Sequence, residues 1–580
     1  MSHESYRRST LVLTVLCLLS VVLFLGITPF NTRGEPREAI VAFSMLQDGN
    51  WILPMNNGDE IAFKPPLLHW LVAVFSGLTG HISEFTSRLP SALAATAMLV
   101  AVYRFFARRR GETVAMLTAL LTLTSFEVHR AAMTCRVDML LAALTVLGLL
   151  ALCRWWEGGL RGVPWAAVLC LAGAALTKGP VGVVLPCGAA AVFYWLRGER
   201  FWPVCWRLAL VALGALVPLF LWYWAAYHEP HGGERFLRLV YEENVLRFTG
   251  RMTYASHLNP WWYNVVTVLS GFLPYTLLCV IVLCSRRLWG AARRGLHGPL
   301  REGWRRFAAW LRGLDAARLF ALVCVVVIFV FYCIPKSKRS VYLLPLYPFL
   351  AYWLAELFLW VRRRRPRALA GFGCVVSVLA FVLTLAFVAV QAGWVPDSIF
   401  QGRHAAENAA FLRTLRDAPL TPLTVLLVLL PALAAVWCLR RQRREACVFA
   451  SVGVVFCIHL ALSGFYLPTV LTVQSDQAIA TRIADIAPRG TIYSYRTDVL
   501  EANRLHPFTI NFYLGDRIIP IDKAPALPRA GYLVAGNDDV ESFRQTYPQY
   551  AVRLVFDSGH RSCDDHKVVS FYAFHDTQRP

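Results

Sequence analysis

The chain has 580 residues, 57% of them hydrophobic and 16% charged, with a formal net charge of +22. So apolar a composition excludes an ordinary soluble domain and implies repeated crossing of a membrane. The positive charge does not describe a nucleic-acid binder, because the arginines sit in short runs beside apolar segments.

A spanning helix needs about 20 apolar residues, and on that measure about thirteen segments qualify. The first, 11–29, follows Arg7 and Arg8 and has no small-residue cleavage site behind it, so it reads as a retained span. A polar stretch comes next. Segment 66–79, apolar but short and carrying His69, reads as an interfacial or re-entrant helix. The remaining spans are 89–107, 113–127, 134–153, 163–178, 180–196, 207–227, 263–284, 317–334, 341–361, 368–390, 421–439 and 446–467. Arg108 to Arg110, Arg154, Arg197, Arg362 to Arg365 and the run Arg440 to Arg444 (broken at Gln442) follow even-numbered spans, and eight arginines fall in 285–316. The positive-inside rule makes these loops cytoplasmic, and an odd span count then puts the tail outside.

The fold expected is an all-α polytopic membrane module over 1–467 and a small extracytoplasmic α/β domain over 468–580. In the tail, SDQAIATRIADIA has helical spacing, while TIYSY, TINFYL, GYLVAG, VRLVF and VVSFYAF read as short strands. The tail displays no catalytic triad, Gly-rich phosphate loop or metal cluster. Of fifteen cysteines, only Cys563 lies in the tail, so it holds no internal disulfide; the others read as small buried apolar residues.

Polar residues that are not arginine stops gather in the outer loops, above all 30–88 and 228–262. The stretch RGEPREAIVAFSMLQDGNWILPMNNGDEIAFKPP, residues 33–66, carries Glu35, Arg37, Glu38, Asp59, Glu60 and Lys64 at a membrane surface. Glu35 is the candidate catalytic carboxylate, suited to taking a proton from an acceptor or stabilising charge; the competing reading is a cap on a helix starting at Pro36. Arg37 and Lys64 offer a planar fork and a point charge to a phosphate, or else snorkel to head groups. Phe63, Pro65 and Pro66 stiffen the backbone around Lys64.

Asp138 opens the span 134–153, where a carboxylate is costly and so a second catalytic candidate; the alternative is an ion pair with Arg130 or Arg136. Lys178, before Gly179-Pro180, is either a phosphate contact or an interface anchor. Lys336, Lys338, Arg339 and Tyr342 form a basic cluster on the outer side, against the positive-inside trend, as a binder of an anionic carrier lipid would. Glu243, Asn244, Arg247 and His257 in 228–262 are candidates for acceptor binding or support. His257 could ligate a metal or contact phosphate, but a lone His is more often a hydrogen-bonding or packing residue.

In order along residues 30–350, GEPREAIVAFSML-DGNWILP, FKPPLLHWL, SRLPSAL, RVDMLLA, LTKGPVG, ENVLRFTG, PWWY and PKSKRSVYLLPLYP resemble the GT-C type membrane glycosyltransferases. The nearest match is the lipid A aminoarabinose transferases, related to the protein O-mannosyltransferases. The resemblance implies a polyprenyl-phosphate sugar donor, transfer outside the cytoplasmic membrane with inversion, and a cavity roofed by first-loop helices. It also implies phosphate contacts at Arg37 and Lys64. The family's first-loop motif is Asp-Glu-x-Arg-Tyr; here Gly34 stands at the Asp, so the carboxylate role passes to Glu35. Phe63 stands where relatives carry a Glu before Lys-Pro, which removes a carboxylate able to help hold a divalent metal; no cofactor is otherwise indicated.

The leading function is therefore a glycosyltransferase acting on a lipid or protein acceptor in the bacterial inner membrane. A flippase of lipid-linked sugars would also want a cationic cavity, but would bring inverted repeats. A structural partner in an envelope-synthesis complex is the third reading.

Overall fold

A computed structural model describes residues 3–58, 60–249, 251, 258–284, 309–402, 405–441, 447–496 and 507–578. Among these, eight helices are long and apolar enough to cross a membrane: Glu84–Arg110, Val137–Glu157, Phe201–His228, Ala316–Cys333, Ser340–Arg364, Pro366–Gln391, Pro422–Arg441 and Cys447–Gln474. The pair Tyr263–Gly271 and Thr276–Leu283, bent by 106°, raises the number to nine if it counts as one span. The other four expected spans are also helical, over His3–Val21, Glu112–Leu123, Trp165–Lys178 and Val181–Leu196. The last three have 12, 14 and 16 residues, short of the length a crossing needs. The first is displaced from 11–29: its helix begins in the charged N-terminal residues and ends at Val21.

Local chemistry sets these boundaries. Glu84–Arg110 starts in a capping box between Ser83 and Thr86 and stops at Gly111, whose φ of +90° suits glycine. At that arginine-rich end Arg109 pairs with Glu157. Arg110 reaches Asp315 and Glu356, both at 2.8 Å, and Arg318 reaches Glu356 at 3.2 Å. The ends of four helices expected on one side of the membrane are thus held together.

At the opposite end lies the first loop. Helix Pro36–Asp48 begins with Pro36, whose fixed φ suits the first turn, and ends at Gly49 in the left-handed region. A hairpin of β1 (Met55–Asn56) and β2 (Glu60–Ile61) follows, then helix Leu67–Thr79, the expected interfacial element. Ala42 of the first helix packs with Leu68, Val72 and Ala73 of the second and with Val137 of the bundle.

The tail carries a five-stranded sheet in the order β4-β3-β5-β7-β6, with β3 Ile492–Tyr495, β4 Ile518–Pro520, β5 Ala530–Gly536, β6 Tyr550–Arg561 and β7 Val568–Asp576. β3 pairs in parallel with β4 and β5, and β7 runs antiparallel to β5 and β6. Helix Gln477–Ile486 occupies the expected amphipathic segment. TINFYL is not a strand but part of helix Phe508–Tyr513. Both sides of that helix are covered, Ile510 in the sheet's core and Phe508 and Phe512 against Phe30, Ala39 and Ile40 of the first loop, so the burial pattern carries no period to read.

Candidate active site

Glu35 precedes helix Pro36–Asp48, but its side chain caps nothing. It turns inward and accepts from Arg88 Nε at 2.9 Å, Arg88 Nη2 at 3.1 Å and the Cys135 N–H at 2.8 Å. Arg88 is itself fixed, donating from Nη1 to the carbonyls of Leu25 at 2.7 Å and Thr28 at 2.6 Å. Burial raises the Glu35 pKa, but the Arg88 charge and hydrogen bonds outweigh burial and hold it below the usual carboxylate range.

One turn along the same helix, Glu38 is the meeting point of the loop. It accepts from Lys64 Nζ, from His69 Nε2 at 3.0 Å and from Arg37 Nη2 at 3.3 Å. Glu38 and His69 are buried, whereas the side chains of Arg37 and Lys64 stay 43% and 26% exposed, so the cations face outward from a buried anion. Burial works to raise the Glu38 pKa; the Lys64 charge, the His69 hydrogen bond and the Arg37 charge hold it well below the usual range. Glu243 lies within electrostatic reach of Arg37 and Lys64 and pairs with Arg247 one turn on.

A second group stands beside the first. Lys178 pairs with Asp138, and its ammonium lies 4.3 Å from the centre of the Tyr342 ring, a cation–π contact. Arg130 instead pairs with Glu127 at 2.7 Å. Arg136 and Arg339 act on Asp138 electrostatically. The Arg136 guanidinium fills the space a side chain at position 34 would take: a Cβ on Gly34 would fall 2.2 Å from Nη2. A cation therefore stands where the family motif places a carboxylate. The loop 228–262 reaches this group through Asn244, whose Oδ1 lies 3.0 Å from where a Cβ on Gly179 would stand.

The expected basic cluster divides. Lys336 is exposed, Arg339 is half-buried, and Lys338 is buried and donates to the carbonyls of Pro335 at 2.6 Å and Asn259 at 3.2 Å. His257 lies outside the described residues. The structure thus gathers Arg37 and Lys64 on Glu38, with Glu243 within electrostatic reach of both cations, and Lys178, Asp138 and Tyr342 into a neighbouring group. Glu35 and Lys338 are bound into the interior. Sequence reading named Arg136 as a partner of Asp138 but missed the partners His69 and Arg88 and the central place of Glu38; the signal was present in an ionisable residue inside an apolar run, as in FKPPLLHWL and SRLPSAL.

Among the described residues no set of three metal donors converges in the first loop, where Phe63 packs on the bundle core. Among the described residues, one set of three possible metal donors converges, Asp476, Cys563 and Asp564 in the tail, with ligand atoms within 4.8 Å of one another. The expectation of no such cluster there is corrected to that extent. Both carboxylates already hold distant segments of the tail together, Asp564 accepting from Thr509 N and Oγ1 at 2.8 and 2.9 Å and Asp476 from Ser562 Oγ at 2.6 Å.

Residues 63–224 match the family of dolichyl-phosphate-mannose-protein mannosyltransferases. An uncharacterized protein of Aquifex aeolicus (strain VF5) is 31% identical over 350 residues, covering 58% of this chain and 71% of that one. The undecaprenyl phosphate-alpha-4-amino-4-deoxy-L-arabinose arabinosyl transferase of Enterobacter sp. (strain 638) is 26% identical over 395 residues, or 65% of each chain. Another Aquifex aeolicus relative is matched over 60% of its length, so the chain spans under two thirds of several of these relatives. The crystal structure of ArnT from Cupriavidus metallidurans bound to undecaprenyl phosphate superposes with a TM-score of 0.66 at 20% identity, over 99% of this chain and 98% of that one, which establishes a common fold. Its motifs, its first-loop geometry and these likenesses agree: the chain resembles the GT-C type membrane glycosyltransferases, and among them the lipid A aminoarabinose transferases and protein O-mannosyltransferases.

Proposed function

We propose that this protein transfers a sugar from a polyprenyl-phosphate carrier to a lipid A-like or protein acceptor on the outer side of the bacterial inner membrane. In this reading the thirteen apolar segments all cross or enter the membrane, the first loop faces outward, and residues 468–580 form an extracytoplasmic domain. The observation that carries it is the convergence of Arg37 and Lys64, both half-buried, on the buried carboxylate of Glu38.

The acceptor oxygen attacks the anomeric carbon, the carbon–oxygen bond to the carrier phosphate breaks, and the carrier phosphate leaves with its electron pair. Arg37 and Lys64 hold that phosphate, with Lys178, Lys336, Arg339 and Tyr342 along its approach and Lys338 shaping the turn. Glu38 takes the acceptor proton. As held in the free protein it is a weak base, its charge satisfied by Lys64, Arg37 and His69. A donor phosphate that draws Lys64 and Arg37 to itself raises the basicity of Glu38, so carrier binding prepares the proton acceptor. Glu35 has no such release, because Arg88 is anchored independently on two carbonyls. Its role is to fix the loop, and Asp138 orients Lys178. Glu243 and Arg247 support the acceptor side.

The test is mass spectrometry of envelope lipids and glycoproteins from a deletion strain complemented with variants. The deletion should remove a sugar-bearing species. Glu38→Gln should not restore it, while Glu35→Gln should restore it in proportion to folded protein. Full restoration by Glu38→Gln, with loss confined to Glu35→Gln or Asp138→Asn, would return the carboxylate role to those residues.

A further inference from the structure

Asp516, in the turn between helix Phe508–Tyr513 and β4, touches both parts of the first loop that supply the Arg37–Glu38–Lys64 group. Its Oδ2 accepts from Ser44 Oγ at 2.9 Å, on the helix that carries Arg37 and Glu38. Its Oδ1 accepts from the Asn57 N–H at 3.2 Å, in the hairpin that leads to Lys64. Asn511 completes the bracket, donating from Nδ2 to Asp516 Oδ1 at 2.7 Å and to Asn57 Oδ1 at 2.6 Å, while its own Oδ1 accepts from the Ile518 N–H at 2.8 Å.

The two sides of this contact are tightly apposed. Asp516 has φ +56° and Asn57 φ +48°, left-handed values that Asp and Asn adopt more readily than other non-glycine residues. Gly58, with φ +82°, is pressed so close to the tail that a Cβ there would fall 2.4 Å from Ile519 Cγ2. Asn57 and Asn511 are wholly buried. A solvated surface turn needs neither this close approach nor this burial, whereas a rigid spacer between two loop elements needs both.

We infer that Asp516 is a positioning residue of the transfer site: by holding Ser44 and Asn57 on one carboxylate, it fixes the separation of Glu38 from Lys64 and so the grip on the carrier phosphate. This rests on the function proposed above. The tail is in that case a built part of the site, contributing no group to the chemistry and setting the place of two that do.

The test is binding of undecaprenyl phosphate to purified full-length protein in detergent, with melting temperature read in parallel. A misplacement of about 1 Å at a reacting site costs up to roughly a hundredfold, so Asp516→Ala should weaken binding by about tenfold or more. Asp516→Asn, which keeps an acceptor for Asn57 and Asn511 and can donate to Ser44, should recover most of it. In a Lys64→Ala background Asp516→Ala should add little, since it acts through Lys64. Ser44→Ala removes one arm of the bracket and serves if Asp516→Ala does not fold; it should weaken binding by a smaller factor and show the same dependence on Lys64. Unchanged binding in Asp516→Ala or, failing that variant, in Ser44→Ala overturns the inference, as does a loss equally large with and without Lys64. If the parent protein does not bind undecaprenyl phosphate, or Lys64→Ala binds as the parent does, the proposed function of the loop fails instead.

Discussion

The two ends of the helical bundle are both rich in charge and organised in opposite ways. At the arginine-rich end, Arg110, Asp315, Arg318 and Glu356 form a network open to water, with side chains between 21% and 41% exposed. At the other end, Glu35 and Arg88 are buried against each other and Glu38 is buried beneath Arg37, Lys64 and His69. Water-facing pairs contribute about 0–1 kcal/mol each and ask little of the fold. A buried carboxylate has lost its hydration, and the attraction of its partner offsets that loss only when the geometry is good. The first end is thus explained by topology and helix-end pairing, while the second calls for a role beyond stability. Within it the burden is divided: Glu35 is sealed under a fixed guanidinium, and Glu38 sits under cations that keep part of their surface exposed.

The largest effect expected concerns the sealed pair. Arg88→Leu leaves Glu35 buried without its partner, and breaking such a pair costs about 3–5 kcal/mol. Thermal unfolding in detergent should show a large drop, and Arg88→Leu with Glu35→Leu should recover much of it. A small drop in the single variant would mean that water reaches Glu35, and the contrast between the two ends would lose its basis.

Next come the open cations. Arg37→Ala and Lys64→Ala should each weaken undecaprenyl phosphate binding on the order of tenfold, the loss of about 1.5–3 kcal/mol that a charged hydrogen bond supplies. The double variant should lose less than the sum, because both contact one group. Full additivity would place the two cations on separate anions and sharpen the division between the two groups of the site.

The smallest effect belongs to the arginine-rich end. Glu356→Gln should shift stability by about 1 kcal/mol or less and leave carrier binding untouched. A loss as great as that of Arg88→Leu would show that the water-facing network is as essential as the buried one.

The sequence made the apolar helices legible because apolar length follows from the cost of hydrocarbon burial, which is local. Arg37 and Lys64 stood out for the same reason, as cations in a segment too polar to enter the membrane. Which of Glu35 and Glu38 faces them was not, since it depends on Arg88 and His69, distant by 53 and 31 positions from their partners. Periodicity also failed at Phe508–Tyr513, a short helix covered on both sides, and at β4, three residues long and bordered by turns. The fate of Lys338 was equally hidden, because its partners are backbone carbonyls that no side-chain pattern announces.

The contacts between the tail and the first loop also set a schedule for biosynthesis. Asn57 and Asp516 are 459 positions apart, and Phe30 and Tyr513 are 483 apart. At synthesis rates of about 5–20 residues per second, the ribosome needs on the order of half a minute to a minute and a half to travel that distance. For that interval the helix with Glu38 and the hairpin before Lys64 are already made and exposed, yet lack the residues that lock them. The nascent protein therefore passes through a stage in which its bundle is largely assembled and its site is not, and the final shape of the first loop is set only after the last apolar segment has left the ribosome.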